Sequence, residues 1–281
     1  MVYKDILFAV EPYPEVALES AWPTVTALAG LLGGELTALA FELHIRAPNS
    51  RLANMLIGLD QLAKDEEARS AVAAREVLQR FTEAAAGAGL AVKSLLEQTS
   101  THERGDRTAQ LVRTRDLCLL TVGPTIAGDT VTAESVLFGS GRPIIAIPEQ
   151  GSPVGQALGR VAIAWDGTRH AARTVSDAMP LLRAAAEVRV VTVIDEKASA
   201  GPGAAADLVR HLSCHGLSAK VDEVALQGDS IGKTLRAYVA RQNTELMVMG
   251  AFGHSRMREF ILGGATRSML DDPPIPLFMA H

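Results

Sequence analysis

The chain of 281 residues has a formal net charge of -5 and a hydrophobic fraction of 48%, with both signs of charge spread along it. A weakly acidic chain without a basic stripe or interleaved aromatics lacks the electrostatic footprint of a nucleic-acid binder, and no apolar run approaches the roughly 20 residues that span a bilayer. Cys118 and Cys214 make no disulfide framework, and the apolar run Ile6 to Val10 is too short for a signal core before Glu11-Pro12, so the expectation is a soluble, cytoplasmic protein that meets neither nucleic acid nor membrane.

Apolar periodicity and glycine and proline punctuation give the elements in chain order. Lys4 to Val10 reads as a buried strand, followed by a helix from Glu15 to Leu32 and a strand from Glu35 to Glu42. The segment His44 to Leu59 holds the apolar patch Leu52 to Leu59, read as a plain core helix or as cover for a pocket or partner. An amphipathic helix from Asp60 to Ala86 stops at Gly87 and Gly89. Strand Leu90 to Glu97, helix Asp106 to Thr114, strand Leu117 to Val122, helix Ala133 to Phe138 and strand Pro143 to Ile147 complete the first half. The second half repeats the order: strand Arg160 to Trp165, helix His170 to Ala185, strand Val188 to Ile194, helix Ala204 to His215, strand Leu217 to Leu226 and helix Ser230 to Gln242. Strand Leu246 to Met249, helix Ala265 to Leu270 and strand Ile275 to Met279 end it.

Alternating strands and helices specify an α/β fold with parallel sheets covered on both faces. Residue matches point to a duplication: Phe8-Ala9-Val10-Glu11 lies over Ile163-Ala164-Trp165-Asp166, and Ala21-Trp22-Pro23 over Ala178-Met179-Pro180. Arg142-Pro143-Ile144 likewise lies over Pro273-Pro274-Ile275. The expected domains are therefore 1–150 and 156–281, joined through Pro148 to Gly159. Each would be a Rossmann-like, open, parallel five-stranded sheet flanked by helices, the two packed face to face about a pseudo-twofold axis.

The stretch Leu246 to Leu270 carries the most chemistry. An apolar strand breaks at Gly250 and Gly253, and after nine residues Gly263 and Gly264 precede a helix beginning at Ala265. Such a loop lets a ligand approach main-chain N–H groups that the first helical turn leaves unpaired, a setting suited to phosphate.

This glycine spacing resembles the nucleotide loop of the universal stress protein family, and the stretches VAIAWDGT and VVTVIDE resemble that family's two other nucleotide-contacting segments. The resemblance covers both halves in fold order, and its motifs only the second. It implies an adenine nucleotide alpha hydrolase-like fold and a stress-response or regulatory module binding ATP or AMP, with or without Mg2+, and needing no cofactor to fold. It makes Asp166 the acceptor for the adenine or ribose end, Val193 a main-chain neighbour of the base, and Ala164 and Met249 walls. Gly250, Gly253, Gly263, Gly264, Ala265 and Thr266 would cradle the phosphates, with His254, Arg256 and Arg258 as cations from the loop. Gly264 stands where the family has Ser or Thr, which removes a hydroxyl. No catalytic or metal-ligating residue is assigned. Alternative readings are a slow ATP hydrolase using the same pocket, or an interaction protein without nucleotide. The tandem halves would form an intramolecular pseudo-dimer, with a homodimer as a further association.

The first half lacks this apparatus: Glu11 replaces Asp, Pro12-Tyr13-Pro14 follows it, and Gly123 precedes Pro124 with Ile126 at the next glycine position. It is expected to be a degenerate, non-binding scaffold. Gly228 to Thr234 falls one residue short of a P-loop between its glycines and reads as a capped helix start. His211, Cys214 and His215 sit within about one turn but lack further ligands and a second shell, and read as a helix end.

Overall fold

A computed structural model describes residues 3–12, 19–45, 59–124, 129–155, 157–194, 203–228, 230–251 and 264–281. The first half runs β1 (Asp5–Ala9), α1 (Trp22–Leu32), β2 (Glu35–Leu43), α2 (Leu59–Gly87), β3 (Val92–Thr99), α3 (Arg104–Val112), β4 (Leu117–Val122), α4 (Asp129–Gly139) and β5 (Ile144–Pro148). The second runs β6 (Leu158–Ala164), α5 (Arg169–Ala184), β7 (Ala185–Ile194), α6 (Ala204–Cys214), β8 (Ala219–Ala225), α7 (Ile231–Gln242), β9 (Leu246–Gly250), α8 (Gly264–Leu270) and β10 (Leu277–Ala280).

The strands form one ten-stranded sheet in the order β3-β2-β1-β4-β5-β10-β9-β6-β7-β8. Pairing is parallel within each half, and β10 meets β5 antiparallel with Phe278 opposite Ile145. Two copies of one strand order, back to back, create the pseudo-twofold relation. The halves thus join edge to edge through main-chain hydrogen bonds rather than face to face as expected, because the apolar last strand of each copy has a free edge to pair.

Strands such as β4 (LCLLTV) and β5 (IIAIP) are apolar apart from Thr121 because helices cover both faces. The outermost strands β3 and β8 carry charges at solvent-facing positions, which discourages edge-to-edge association. One helical layer packs Trp22 of α1, Phe81 of α2, Val175 of α5 and Leu212 of α6 onto the sheet. The opposite layer packs Val112 of α3, Val136 of α4, Val239 of α7 and Met269 of α8. In α2 the buried residues Ala74, Val77, Leu78, Phe81 and Ala85 fall on one stripe at helical spacing.

Several boundaries differ from the sequence expectation. A 3-10 turn over Glu19–Ala21 precedes α1, and Pro23, which has no N–H to give, lies in the helix's first turn. The final strand starts at Leu277 rather than Ile275, after Pro273, Pro274 and Pro276. Helix α4 begins at Asp129, earlier than Ala133. The expected start of the first helix at Glu15 and the apolar patch 52–58 lie outside the described residues, and Leu59 opens α2.

Candidate functional site

Strand order makes the crevice. From β6 the chain moves to β7 on one side, while β9 pairs with β6 on the other, so the carboxyl ends of β6 and β9 flank the point where the winding reverses. Ala164 lies opposite Met249 in the register, which brings Asp166 and Gly250 out beside each other. Val193 is the last residue but one of β7, whose Val191 pairs with Ala164. Ala164, Asp166, Val193, Met249 and Gly250 therefore share one rim. Gly264, Ala265 and Thr266 open α8, the crossover between parallel β9 and β10. Gly253, His254, Arg256, Arg258 and Gly263 lie outside the described residues.

Local chemistry fixes the rim. Gly167 has a φ of 74°, a left-handed turn conformation that favours glycine. The Asp166 carboxylate accepts a hydrogen bond from the Thr168 N–H at 2.9 Å, and Thr168 caps α5 by accepting from the Ala171 N–H at 3.2 Å. Asp166 is exposed, with one oxygen committed to the turn. Gly250 sits under the first turn of α5: a Cβ there would stand 2.7 Å from the Ala171 nitrogen. Among the described residues, a Cβ on Gly264 meets nothing within 4 Å. Thr266 is 2% exposed.

Sequence reasoning placed Ile194 at this rim and overlooked four residues near it, Ile231, His170, His281 and Phe138. Ile194 and Ile231 are 44% and 43% exposed, apolar surface at the ends of β7 and at the start of α7. His170 stacks on His281 with ring centroids 4.6 Å apart, and Phe138 of α4 meets His281 edge-on at 5.2 Å. Burial and the neighbouring Arg169 push the His170 imidazole below its ordinary value, opposed by Asp166. His281 is lowered by burial, then by His170 and Arg169. The histidines carry no periodic or motif signal, whereas comparing the two repeats position by position would have found Ile231.

The first-half crevice is built on the same frame and filled from within. Glu11, at the position of Asp166, forms an ion pair with Arg104 of α3, the two side chains being 12% and 11% exposed. Gly123, at the position of Gly250, lies against the carboxylate of Glu149, a residue 6% exposed. Elsewhere, Ser230 caps α7 by accepting from the Lys233 N–H at 3.4 Å, the role read for the shortened P-loop-like segment. His211 and His215 meet edge-on at 4.8 Å, and among the described residues no helix is long and apolar enough to cross a membrane.

Residues 158–281 match the family model described as the universal stress protein family. No curated protein matches the chain. Among solved structures, a universal stress protein from Archaeoglobus fulgidus DSM 4304 is similar over 98% of this chain and 97% of its own, with a TM-score of 0.67 at 16% identity. A putative universal stress protein from Pseudomonas aeruginosa UCBPP-PA14 covers 99% of this chain and 93% of its own, with a TM-score of 0.53 at 12% identity. At such identities the likeness is one of fold, and it extends through both halves. Residues 158–281 form a universal stress protein family domain, and the amino-terminal half repeats the same α/β fold.

Proposed function

We propose that the carboxyl-terminal half binds an adenine nucleotide, ATP or AMP, and serves as a cytoplasmic regulatory module of the stress response. The observation that carries this reading is the emergence of Asp166 and Gly250 beside each other where the winding of the second half reverses. Exposed Ile194 and Ile231 suit an apolar base. Asp166 supplies a carboxylate acceptor, and the N-terminus of α8 favours an anionic tail. His254, Arg256 and the glycines Gly253 and Gly263 would complete the phosphate side, with Mg2+ accompanying ATP. Nucleotide would shift the protein between forms that a partner distinguishes.

Binding rather than turnover is the favoured activity, because one Asp166 oxygen is engaged by the turn at Thr168. The test is to heat-denature protein purified without added ligand, assay the supernatant for adenine absorbance, and titrate emptied protein with ATP and AMP. The expected result is one nucleotide per chain, lost in Gly253→Val. ATP turnover abolished by Asp166→Ala would instead favour the slow hydrolase. Absence of binding together with a concentration-dependent oligomer would favour the interaction protein. Gly264→Ser supplies the missing hydroxyl and should tighten ATP by about tenfold, as expected for one added hydrogen bond to a charged oxygen.

A further inference from the structure

The helix that leads into the fourth strand of each half opens with Arg104-Gly105 in the first half and Ile231-Gly232 in the second. The two glycines are seated alike. A Cβ on Gly105 would meet the hydroxyl of Ser135 at 2.5 Å, and a Cβ on Gly232 that of Ser268 at 2.7 Å, each serine lying on the following helix. Arg104 and Ile231 therefore hold equivalent backbone positions, and the residues that end the first strand of each half, Glu11 and Asp166, correspond as well. The side chains on this common frame do opposite things. Arg104 pairs with Glu11 and both are largely withdrawn from solvent. Ile231 is 43% exposed, and the Asp166 carboxylate turns to the Thr168 N–H.

We infer that the residue opening this helix decides which crevice carries a built-in substitute for ligand: Arg104 closes the amino-terminal crevice in that way, and Ile231 supplies no such charge to the carboxyl-terminal one. A guanidinium carries a fixed fork of donors and no acceptor, so it satisfies a crevice carboxylate as the polar edge of a ligand would, without losing the freedom of a separate molecule. Once paired in a confined place, the charges hold each other, because separating them strands one in a poorly solvated site. An isoleucine cannot make that closure, and its apolar surface becomes a wall for a ring. The ligand side of this inference rests on the nucleotide reading above, whereas the closure of the first crevice does not.

The experiment is Ile231→Arg in the full chain, with ATP binding followed by calorimetry and stability by urea denaturation. Expected is a loss of ATP affinity of about tenfold or more, and a denaturation midpoint non-additive with Asp166→Asn, the sign of a new pair across the crevice. Arg104→Ile should leave ATP affinity at the second crevice unchanged. In parallel, Glu11→Gln, Arg104→Ile and their double variant should be non-additive in the first half, a readout that holds even where Ile231→Arg does not fold. Wild-type affinity in Ile231→Arg with additive midpoints overturns the inference, as does additivity of the Glu11 and Arg104 variants. Coupling without ATP binding by the wild type supports the closure and sinks the nucleotide reading alone.

Discussion

Gly250 lies so close beneath the first turn of α5 that a methyl group on it would stand 2.7 Å from the backbone nitrogen of Ala171 and 2.9 Å from the carbonyl carbon of His170. Both contacts are backbone, which cannot rotate away as a side chain does. Gly250→Ala must lift α5 from the sheet or bend β9, and a cost of about 1–3 kcal/mol is expected for forced overpacking. Thermal unfolding followed by circular dichroism should show a Tm lowered by several degrees, at about 2–4 °C per kcal/mol for a chain of this class. An unchanged Tm would mean that the close approach is not a constraint.

The ion pair in the first crevice should behave unlike those on the surface. Removing Arg104 leaves Glu11 in a site where its side chain is 12% exposed, and breaking such a pair costs about 3–5 kcal/mol. Arg69 and Glu66 pair at 62% and 37% exposure, so Arg69→Ala should cost about 0–1 kcal/mol. Urea denaturation of Arg104→Ala and Arg69→Ala in the same buffer makes the comparison. Glu11→Leu combined with Arg104→Leu should recover much of the loss, since it removes both charges.

The stacked histidines predict a direction with pH. His170 and His281 both titrate below the ordinary 6.5 in the folded protein, with Arg169 adding to the effect of burial and Asp166 opposing it at His170. The unfolded chain therefore takes up these protons first as pH falls. Stability is fully present above 6.5, declines as the pH drops below it, and levels off once the folded histidines have also protonated. NMR titration of the two imidazoles checks the shift itself. His170→Gln should flatten the stability profile between neutral and mildly acidic pH, and a profile as steep as that of the wild type would assign the slope to other groups.

The seam between the halves offers a fourth test. The Tyr3 hydroxyl of the first half donates to the Asp177 carbonyl of α5 in the second, and its ring lies 6.3 Å from that of Phe278 on β10. Burial, with Asp177 and Asp116 nearby, raises the phenol, which stays a donor throughout the ordinary range. Tyr3→Phe should cost about 1–3 kcal/mol through the unpaired carbonyl. Phe278→Ala, at a fully buried position, should cost about 3–5 kcal/mol. Unfolding in one transition would mean that the halves act as one unit, and two transitions in Phe278→Ala would mean that β5 and β10 hold them together.

Much of this protein was legible in the order of its residues. Alternating apolar strands and amphipathic helices set the α/β class, because each pattern can bury its apolar face in only one kind of layer. Turn residues marked the strand ends, and Asp166-Gly167 falls where a tight turn needs a residue at positive φ. The repeat between Phe8-Ala9-Val10-Glu11 and Ile163-Ala164-Trp165-Asp166 was visible for the same reason, since both stretches meet the same local demands. Placement of Asp166 and Gly250 at one crevice came from the family resemblance and the general rule for parallel sheets and not from local pattern, because strand order depends on non-local pairing of β6 with β9. The antiparallel seam at Ile145 and Phe278 was decided by which free edges meet. The ion pair in the first crevice was also tertiary: Arg104 and Glu11 are far apart along the chain, and only the folded sheet brings their charges within reach of each other, whereas Ile231, at the equivalent position, is 43% exposed.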